Sequence, residues 1–330
     1  MRKIKRKKSR RILTPLLFIF NVLLWVSVIY LWTQDVDLPP QTSMSPQANM
    51  SPQISMPQQI RDNFIAASAA SEHTHLHLYS HHALLVNLDT GEVLFDHNGR
   101  ERAYPASVTK LMTILVGIEH ATSDELIVYA DFDTLFIEGA SMACFVAGET
   151  RTLSEVLHAS LLGSGADATS TLAYHVAASY QGFVDLMNET ARRLGMHDTH
   201  FMNTSGLHHS NHYTTAYDIA LLLDYALTHE YFREVFAAER YSFITSTGSE
   251  HEMYSTVAHH FSQASFDSGV VLCGMTGFTT PAGFSLASAA SDGINEFALI
   301  TFRAPGGSYS GLPAHFRDAV VIYDYFFAID

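Results

Sequence analysis

The chain has 330 residues and a net charge of −14, and 47% of its residues are hydrophobic. This length and composition fit one large or two smaller folded domains together with an apolar segment. Eight of the 19 Lys and Arg residues lie within residues 2–11, so the remainder carries a net charge of −22. Without a basic surface, the chain is not a general nucleic-acid binder.

The first 75 residues divide into three segments that precede the expected folded domain. Residues 1–11 are basic, and residues 12–32 are almost entirely apolar and long enough to span a bilayer. The preceding basic residues predict a cytoplasmic N-terminus and a single-pass anchor in the cell membrane, with the rest of the chain extracytoplasmic. A cleaved signal peptide is the alternative, but no small-residue cleavage site follows Trp32. Residues 33–75, rich in Pro, Gln, Ser and Met, predict a disordered tether.

Residues 76–330 have the periodicity of a folded domain of the α+β class. Alternating and apolar runs predict strands at 82–88, 92–96, 241–245, 284–290 and 297–302. Helical spacing predicts helices at 107–119, 152–162, 167–179, 183–194, 215–228, 231–238 and 312–327. Strands at both ends around a helical middle predict one antiparallel sheet packed against helices.

The first candidate for chemistry is the pair Ser107 and Lys110, three residues apart in a predicted helix that Pro105 opens. This spacing places both side chains on one helical face. A desolvated, neutral lysine can take the proton of a serine and make it a nucleophile. Lys110 is also the only lysine after the basic N-terminus, although the S-x-x-K pattern alone is common.

Histidine and cysteine residues do not indicate a metal centre. His208, His209, His212 and Asp218 lack the H-E-x-x-H spacing of metallopeptidases, so we predict no metal and no cofactor. Two cysteines, Cys144 and Cys273, are too few for a disulfide framework, and the sequence leaves open whether they pair.

Three short motifs in order resemble those of penicillin-binding proteins and serine β-lactamases. They are Ser107-Val-Thr-Lys110, Ser164-Gly-Ala166 and Met275-Thr-Gly277, in the places of S-x-x-K, S-x-N and K-T-G. The flanking text is similar to the low-molecular-mass serine D-Ala-D-Ala carboxypeptidases. The matching phrases include Pro105-Ala-Ser-Val-Thr-Lys-Leu-Met-Thr113, Gly139-Ala-Ser-Met142, Phe183-Val-Asp-Leu-Met-Asn-Glu189, Thr199-His-Phe-Met-Asn-Thr-Ser-Gly-Leu207 and His212-Tyr-Thr-Thr-Ala-Tyr-Asp218.

This resemblance implies a β-lactamase-like fold and a peptidase acting on peptidoglycan stem peptides. Ser107 would be the nucleophile, Lys110 the general base and Ser164 the proton relay. Backbone N–H groups of Ser107 and of the segment near Phe278 would form the oxyanion hole. Thr276, Gly277 and Phe278, with positions 166 and 275, would bind substrate. β-Lactams would acylate the same serine.

Two departures from the family pattern leave two functions open. Ala166 replaces the asparagine of S-x-N, and Met275 replaces the lysine of K-T-G. Losing a nearby cation is expected to raise the pKa of Lys110 and leave less free base. The chain is therefore either an active carboxypeptidase, slow or with an altered substrate, or a weakened relative that binds peptidoglycan or a partner.

Motif residues also have simpler explanations. Ser164 could be an ordinary loop or helix-cap serine, and Thr276 with Gly277 could form a plain turn.

Overall fold

The computed structural model describes residues 76–122, 124–128, 140–264, 269–309 and 311–328. The predicted basic tail, membrane span and tether lie outside these residues. Within the described part of the chain, no helix is both long and apolar enough to cross a bilayer.

All seven predicted helices are present, with ends shifted by a few residues. A 3-10 helix, Ala106–Val108, runs directly into the first α-helix. The α-helices are α1 (Thr109–His120), α2 (Leu153–Leu161), α3 (Ala166–Ala177), α4 (Tyr180–Arg193), α5 (Ala216–Ala226), α6 (Glu230–Phe236), α7 (Thr256–Phe261) and α8 (Ala314–Phe327). A capping box begins α2, since the side chains and backbone N–H groups of Thr152 and Glu155 bond reciprocally.

Among the described residues, the strands form one central sheet and three two-stranded ribbons. The strands are β1 (His82–Asn87), β2 (Val93–His97), β3 (Glu125–Ile127), β4 (Thr150–Thr152), β5 (Arg240–Ile244), β6 (Glu250–Tyr254), β7 (Val270–Thr279), β8 (Gly283–Ser291), β9 (Glu296–Ala304), β10 (Ser308–Tyr309) and β11 (Leu312–Pro313). The central sheet is antiparallel with the order β2-β1-β9-β8-β7. Strand β7 therefore forms one edge.

Helices cover both faces of the central sheet. Leu84 and Val86 of β1 pack into the larger core with α1 and the other middle helices. Ala83 and Leu85, which point to the opposite face, pack against α8 in a second core. Burial on both faces explains why β1 is apolar throughout instead of alternating.

The sequence prediction of a single sheet needs correction. The predicted strand at 241–245 exists as β5, but it pairs with β6 in a separate two-stranded ribbon. Strand β7 did not emerge from the hydrophobic pattern, because glycines and threonines interrupt its apolar residues. Strand β7 is defined by its pairing with β8, which runs from Val270 opposite Ser291 to Thr279 opposite Gly283.

Candidate active site

Ser107 lies in the 3-10 helix at the start of α1, in a tightly constrained stretch of backbone. Ala106 has a φ of 49°, a left-handed value that costs a non-glycine residue energy. Two glycines permit the close packing that holds it: a Cβ on Gly206 would overlap the carbonyl oxygen of Ala106, and one on Gly277 would lie 2.7 Å from the Ser107 nitrogen. The surrounding chain thus fixes the position of the Ser107 backbone.

Three side chains predicted from two separate motifs meet in a triangle. The Lys110 amine lies 3.2 Å from the Ser107 hydroxyl and 3.1 Å from the Ser164 hydroxyl. The two hydroxyl oxygens are themselves 3.1 Å apart. These distances are short enough for a proton to pass directly between any two of the three groups.

Lys110 is nearly fully buried, and this determines its protonation. Its amine also donates to the Ser205 carbonyl at 2.8 Å. Burial lowers the pKa of Lys110 from 10.5 to about 7, while the negative charge of Asp167 partly opposes the shift. A large fraction of Lys110 is therefore neutral near pH 7, even though Met275 provides no second cation.

Ser164 connects α2 and α3 and points into the triangle. Its φ of 48° places the residue in the left-handed region. Helix α3 has Gly165 as its N-cap, and no side chain caps it. The hydroxyl of Ser164 bonds Ser107 and Lys110 instead, so the simpler helix-cap explanation does not fit its geometry.

Sequence reasoning missed the role of Ser205, which acts through its backbone. The side chain of Asn203 accepts hydrogen bonds from the N–H groups of Ser205 and Gly206, at 3.2 and 2.7 Å. This local turn presents the Ser205 carbonyl to Lys110. The signal was present in the phrase Asn203-Thr-Ser-Gly206, where an asparagine precedes a small-residue turn.

His212 is a structural residue that supports the same segment. Its Nε2 lies 2.8 Å from the Thr109 hydroxyl, and its Nδ1 accepts from the Met202 N–H at 3.2 Å. Burial lowers the pKa of His212 to about 3, so the ring stays neutral. Among the described residues, His208, His209, His212 and Asp218 do not place three ligand atoms close enough to share a metal ion.

Asp167 was also missed, and it anchors the loop across the site. Its buried carboxylate accepts the N–H groups of Ala143 at 2.8 Å and Phe145 at 2.9 Å. The predicted α3 begins one residue earlier than expected and carries Asp167 in its first turn. The carboxylate thus fixes the 140–146 loop beside Ser164.

Replacing Asp167 with alanine is expected to lower the free energy of unfolding by about 2–4 kcal/mol, because buried N–H groups lose a charged acceptor. Urea denaturation of the variant and the parent measures this change. Asp185→Ala is the matched control, since Asp185 is exposed on α4 and accepts a hydrogen bond from the Gln181 side chain one turn earlier. Equal losses in the two variants would contradict the anchoring role of Asp167.

A cavity of about 420 Å³ opens beside Ser107 and Ser164. Edge strand β7 forms one wall with Met275, Thr276, Gly277 and Phe278. Met275 is buried and belongs to the larger core, whereas Phe278 is about half exposed. All four predicted β7 residues therefore lie at the site.

Ala166 does not contribute to the wall of this cavity. It is the first residue of α3, fully buried, and its N–H donates to the Ser141 carbonyl at 2.8 Å. An asparagine side chain extends two bonds further than the alanine methyl. Ala166 therefore does not make the substrate contact that was predicted at this position.

The two cysteines remain separate thiols. Cys144 is exposed and Cys273 is buried in β7. Burial raises the pKa of Cys273 to about 12, so its thiol is protonated.

Comparisons with known proteins show which family the chain is similar to. Residues 67–306 match the family model described as D-alanyl-D-alanine carboxypeptidase. D-alanyl-D-alanine carboxypeptidase DacF of Bacillus subtilis is 35% identical over 151 residues, covering 45% of this chain and 39% of that protein. DacA of Escherichia coli is 26% identical over 250 residues, covering 70% of this chain and 57% of that protein. The chain thus spans less than two thirds of the length of these curated relatives.

Solved structures show the same fold. The crystal structure of a Streptomyces DD-transpeptidase has a TM-score of 0.69 at 25% identity, covering 77% of this chain and 99% of that one. A D-alanyl-D-alanine carboxypeptidase of Mycobacterium tuberculosis has a TM-score of 0.68 at 24% identity, covering 77% and 93%. Since the family model covers most of the chain, the chain belongs to the D-alanyl-D-alanine carboxypeptidase family of low-molecular-mass penicillin-binding proteins.

Proposed function

We propose that this chain is a serine-type D-Ala-D-Ala carboxypeptidase that cleaves peptidoglycan stem peptides through an acyl-enzyme on Ser107. The observation that carries the proposal is the triangle of Ser107, Lys110 and Ser164, with all three distances between 3.1 and 3.2 Å. A serine beside a lysine that is largely neutral near pH 7 is an activated nucleophile.

Acylation begins when neutral Lys110 takes the proton of the Ser107 hydroxyl. The Ser107 oxygen attacks the carbonyl carbon of the penultimate D-Ala, and the carbonyl oxygen becomes an oxyanion. Lys110 then returns the proton through the Ser164 hydroxyl to the amide nitrogen of the terminal D-Ala. The C–N bond breaks, free D-Ala leaves, and the rest of the peptide remains as an ester on Ser107.

Backbone N–H groups are suited to bind the developing oxyanion. The N–H of Ser107 lies at the N-terminal end of the helical segment, where partial positive charge accumulates. Gly277 packs against this nitrogen closely enough to exclude a Cβ, which brings β7 beside it. The outer edge of β7, which pairs with no other strand in the described part of the chain, can also pair with an extended peptide, leaving side-chain pockets to select the substrate.

Deacylation uses the same groups with water as the nucleophile. Lys110 accepts a proton from the water as its oxygen adds to the ester carbonyl. The intermediate collapses when the Ser107 oxygen leaves and regains a proton, which releases the shortened peptide. A β-lactam would follow the first half of this sequence, because its strained amide presents the same carbonyl to Ser107.

The proposed location is the outer side of the cell membrane, with the predicted span at 12–32 as the anchor. This location rests on the sequence pattern of residues 1–32 and on the extracytoplasmic position of peptidoglycan.

The second candidate function is a binding module with weakened chemistry. Its support is that the cavity holds Met275 in place of lysine, and that Ala166 is buried away from the cavity wall. Such a module would bind the stem peptide in the same cavity and leave it uncleaved.

Labelling with a fluorescent penicillin distinguishes the two functions. The full-length chain is expected to form a covalent adduct at Ser107 and to release D-Ala from a pentapeptide, and Ser107→Ala is expected to lose both. Gel fluorescence and peptide mass spectrometry locate the adduct, and an amino-acid oxidase assay measures D-Ala. Folded protein that remains unlabelled after prolonged incubation would support the binding module instead.

A further inference from the structure

Two histidines and a glutamate meet where strand β1 begins. One ring nitrogen of His81, one ring nitrogen of His82 and one carboxylate oxygen of Glu101 all lie within 4.8 Å of one another. His82 is the first residue of β1 and His81 precedes it, whereas Glu101 follows β2. None of these three residues lines the cavity beside Ser107, so the cluster is separate from the site already described.

Asn98 fastens the two segments that carry these side chains. Its φ of 55° is left-handed, a conformation that asparagine adopts more readily than most residues. Its side-chain amide donates to the His81 carbonyl at 2.9 Å, and its own carbonyl accepts the Glu101 N–H at 3.0 Å. The turn at 98–101 is thereby tied to the start of β1, so the backbone itself brings Glu101 beside the two histidines.

The Asn98 carbonyl also determines which nitrogen of His82 carries the lone pair. The Nδ1 of His82 lies 3.2 Å from this carbonyl oxygen. A carbonyl only accepts, so Nδ1 donates its proton there and Nε2 keeps the lone pair. Metal-binding histidines commonly donate their second ring nitrogen to a backbone carbonyl in this way, which orients the ring. Burial lowers the pKa of His82, Glu101 opposes this shift and Arg303 adds to it, so the ring has the neutral form that a metal ion requires.

The carboxylate of Glu101 approaches the histidines even though an arginine flanks it on each side in the sequence. Its Oε2 lies 3.5 Å from the Nε2 of His81. Both flanking guanidinium groups instead lie over tyrosine rings, each 3.6 Å from a ring centroid: Arg100 over Tyr217 and Arg102 over Tyr213. The negative charge of Glu101 is therefore directed to the two imidazoles.

The distances suit a small divalent ion after a slight closure of the exposed side chains. Zn²⁺ binds imidazole nitrogen and carboxylate oxygen at about 2.0–2.2 Å, so two ligand atoms in a tetrahedron are about 3.3–3.6 Å apart. The contact between His81 and Glu101 already has this length. Both of these side chains are about half exposed, so rotation about their own bonds can close them onto the buried His82.

The sequence just before β1 provides independent support. Residues 73–82 hold five of the 19 histidines of the chain, as His-Thr-His-Leu-His followed by the pair His81-His82. Short histidine-rich tracts are typical of metal binding. The sequence-based prediction of no metal did not take in this cluster, because Glu101 joins the histidines only through the folded turn at 98–101.

We infer that His81, His82 and Glu101 bind a divalent transition-metal ion of the Zn²⁺ class, with a fourth position open to water. Two imidazoles and one carboxylate favour such an ion over Mg²⁺ and Ca²⁺, which prefer oxygen ligands throughout. The ion would join the start of β1 to the turn at 98–101, which leads towards the 3-10 helix that carries Ser107. Its role would be to stabilise this part of the domain, outside the peptidase chemistry.

Zn²⁺ binding to the full-length chain, purified without a histidine tag and stripped with EDTA, tests the site. Titration in competition with a chromophoric chelator is expected to give one tight Zn²⁺ per chain, with a dissociation constant in the micromolar range or below. Zn²⁺ at about 100-fold above this constant is expected to raise the Tm by about 5–10 °C, because the ion binds the folded state. Mg²⁺ at the same concentration is expected to leave the Tm unchanged.

Variants of the two exposed ligands assign the ion to this cluster. His81→Gln and Glu101→Gln are each expected to weaken Zn²⁺ binding at least about tenfold, since even loss of an outer-shell partner costs this much. The metal-free Tm should stay close to that of the parent, because both positions are exposed. His97→Gln is the matched control, since His97 is exposed at the end of β2 and lies outside the cluster. A triple variant tests the preceding tract and should keep the Tm shift: His73→Gln, His75→Gln and His77→Gln.

Three outcomes would overturn the inference. One is a parent protein whose Tm does not respond to Zn²⁺, and another is a Tm shift that survives both His81→Gln and Glu101→Gln. The third is a shift that disappears in the triple variant, which would assign the ion to residues 73–77 instead. These measurements do not depend on penicillin labelling or D-Ala release, so they leave the proposed enzymatic function to its own test.

Discussion

Replacing Lys110 with methionine is expected to slow acylation of Ser107 by about 10²–10⁴-fold, the usual contribution of a general base. Methionine is nearly as long as lysine and suits a buried position, so the fold should be preserved. The second-order rate of labelling by a fluorescent penicillin measures the loss. Lys110→Arg should be similarly slow, because a guanidinium retains the charge but does not release its proton at neutral pH.

The pH dependence of the acylation rate of the parent protein tests the same role of Lys110. Only neutral Lys110 can accept the proton, and its pKa is lowered to about 7 by burial. The acylation rate should therefore increase with pH, with a midpoint near 7, and level off above it. Below the midpoint it should fall about tenfold per pH unit.

Arg192→Met is the matched control for loss of a cation, since Arg192 is exposed at the end of α4. Its labelling rate should equal that of the parent. A rate for the parent that stays constant between pH 5 and 9, or a Lys110→Met variant that labels at the parental rate, would rule out Lys110 as the base.

The sequence was sufficient to predict the nucleophilic part of the site. Ser107 and Lys110 are one helical turn apart, so local geometry alone places them together. Ser164 lies 57 positions from Ser107, and only the family resemblance connected them before the structure gave the 3.1 Å contact. Helix positions were predictable for a similar reason, because capping residues and helical periodicity are local signals.

Other parts of the site depend on contacts between distant segments and were not predictable. The Ser205 carbonyl reaches Lys110 over 95 positions, and a backbone group leaves little trace in sequence. Asp167 looked like an ordinary helix residue until its bonds to the 140–146 loop were seen. The extent to which Lys110 is buried was not visible in the sequence either, and this burial lowers its pKa to about 7 without a second lysine.

The histidines that cluster in the sequence do not line the cavity beside Ser107, which His260 and His315 line instead. His208 to His212 formed the conspicuous cluster, yet His212 is a neutral structural residue. His315 stands alone in the sequence and approaches His260 only because α7 and α8 pack on the same face of the sheet. Sequence density is therefore a poor guide to which histidines share a cavity.

The double variant Met275→Lys with Ala166→Asn restores both residues of the family pattern. It is expected to release D-Ala about 10²–10³-fold faster, which is the usual contribution of one preorganised polar contact to the rate. Position 275 lines the cavity on the same side of β7 as Gly277, so a lysine there would supply a permanent charge for the substrate carboxylate.

The added charge should also change the pH profile of the double variant. A second cation disfavours protonated Lys110, so the midpoint of the acylation profile should move below 7. Met275→Leu with Ala166→Asn is the control, since leucine keeps the volume without the charge. A folded, penicillin-labelled double variant that releases D-Ala no faster than this control would show that the loss of lysine at position 275 does not limit the reaction.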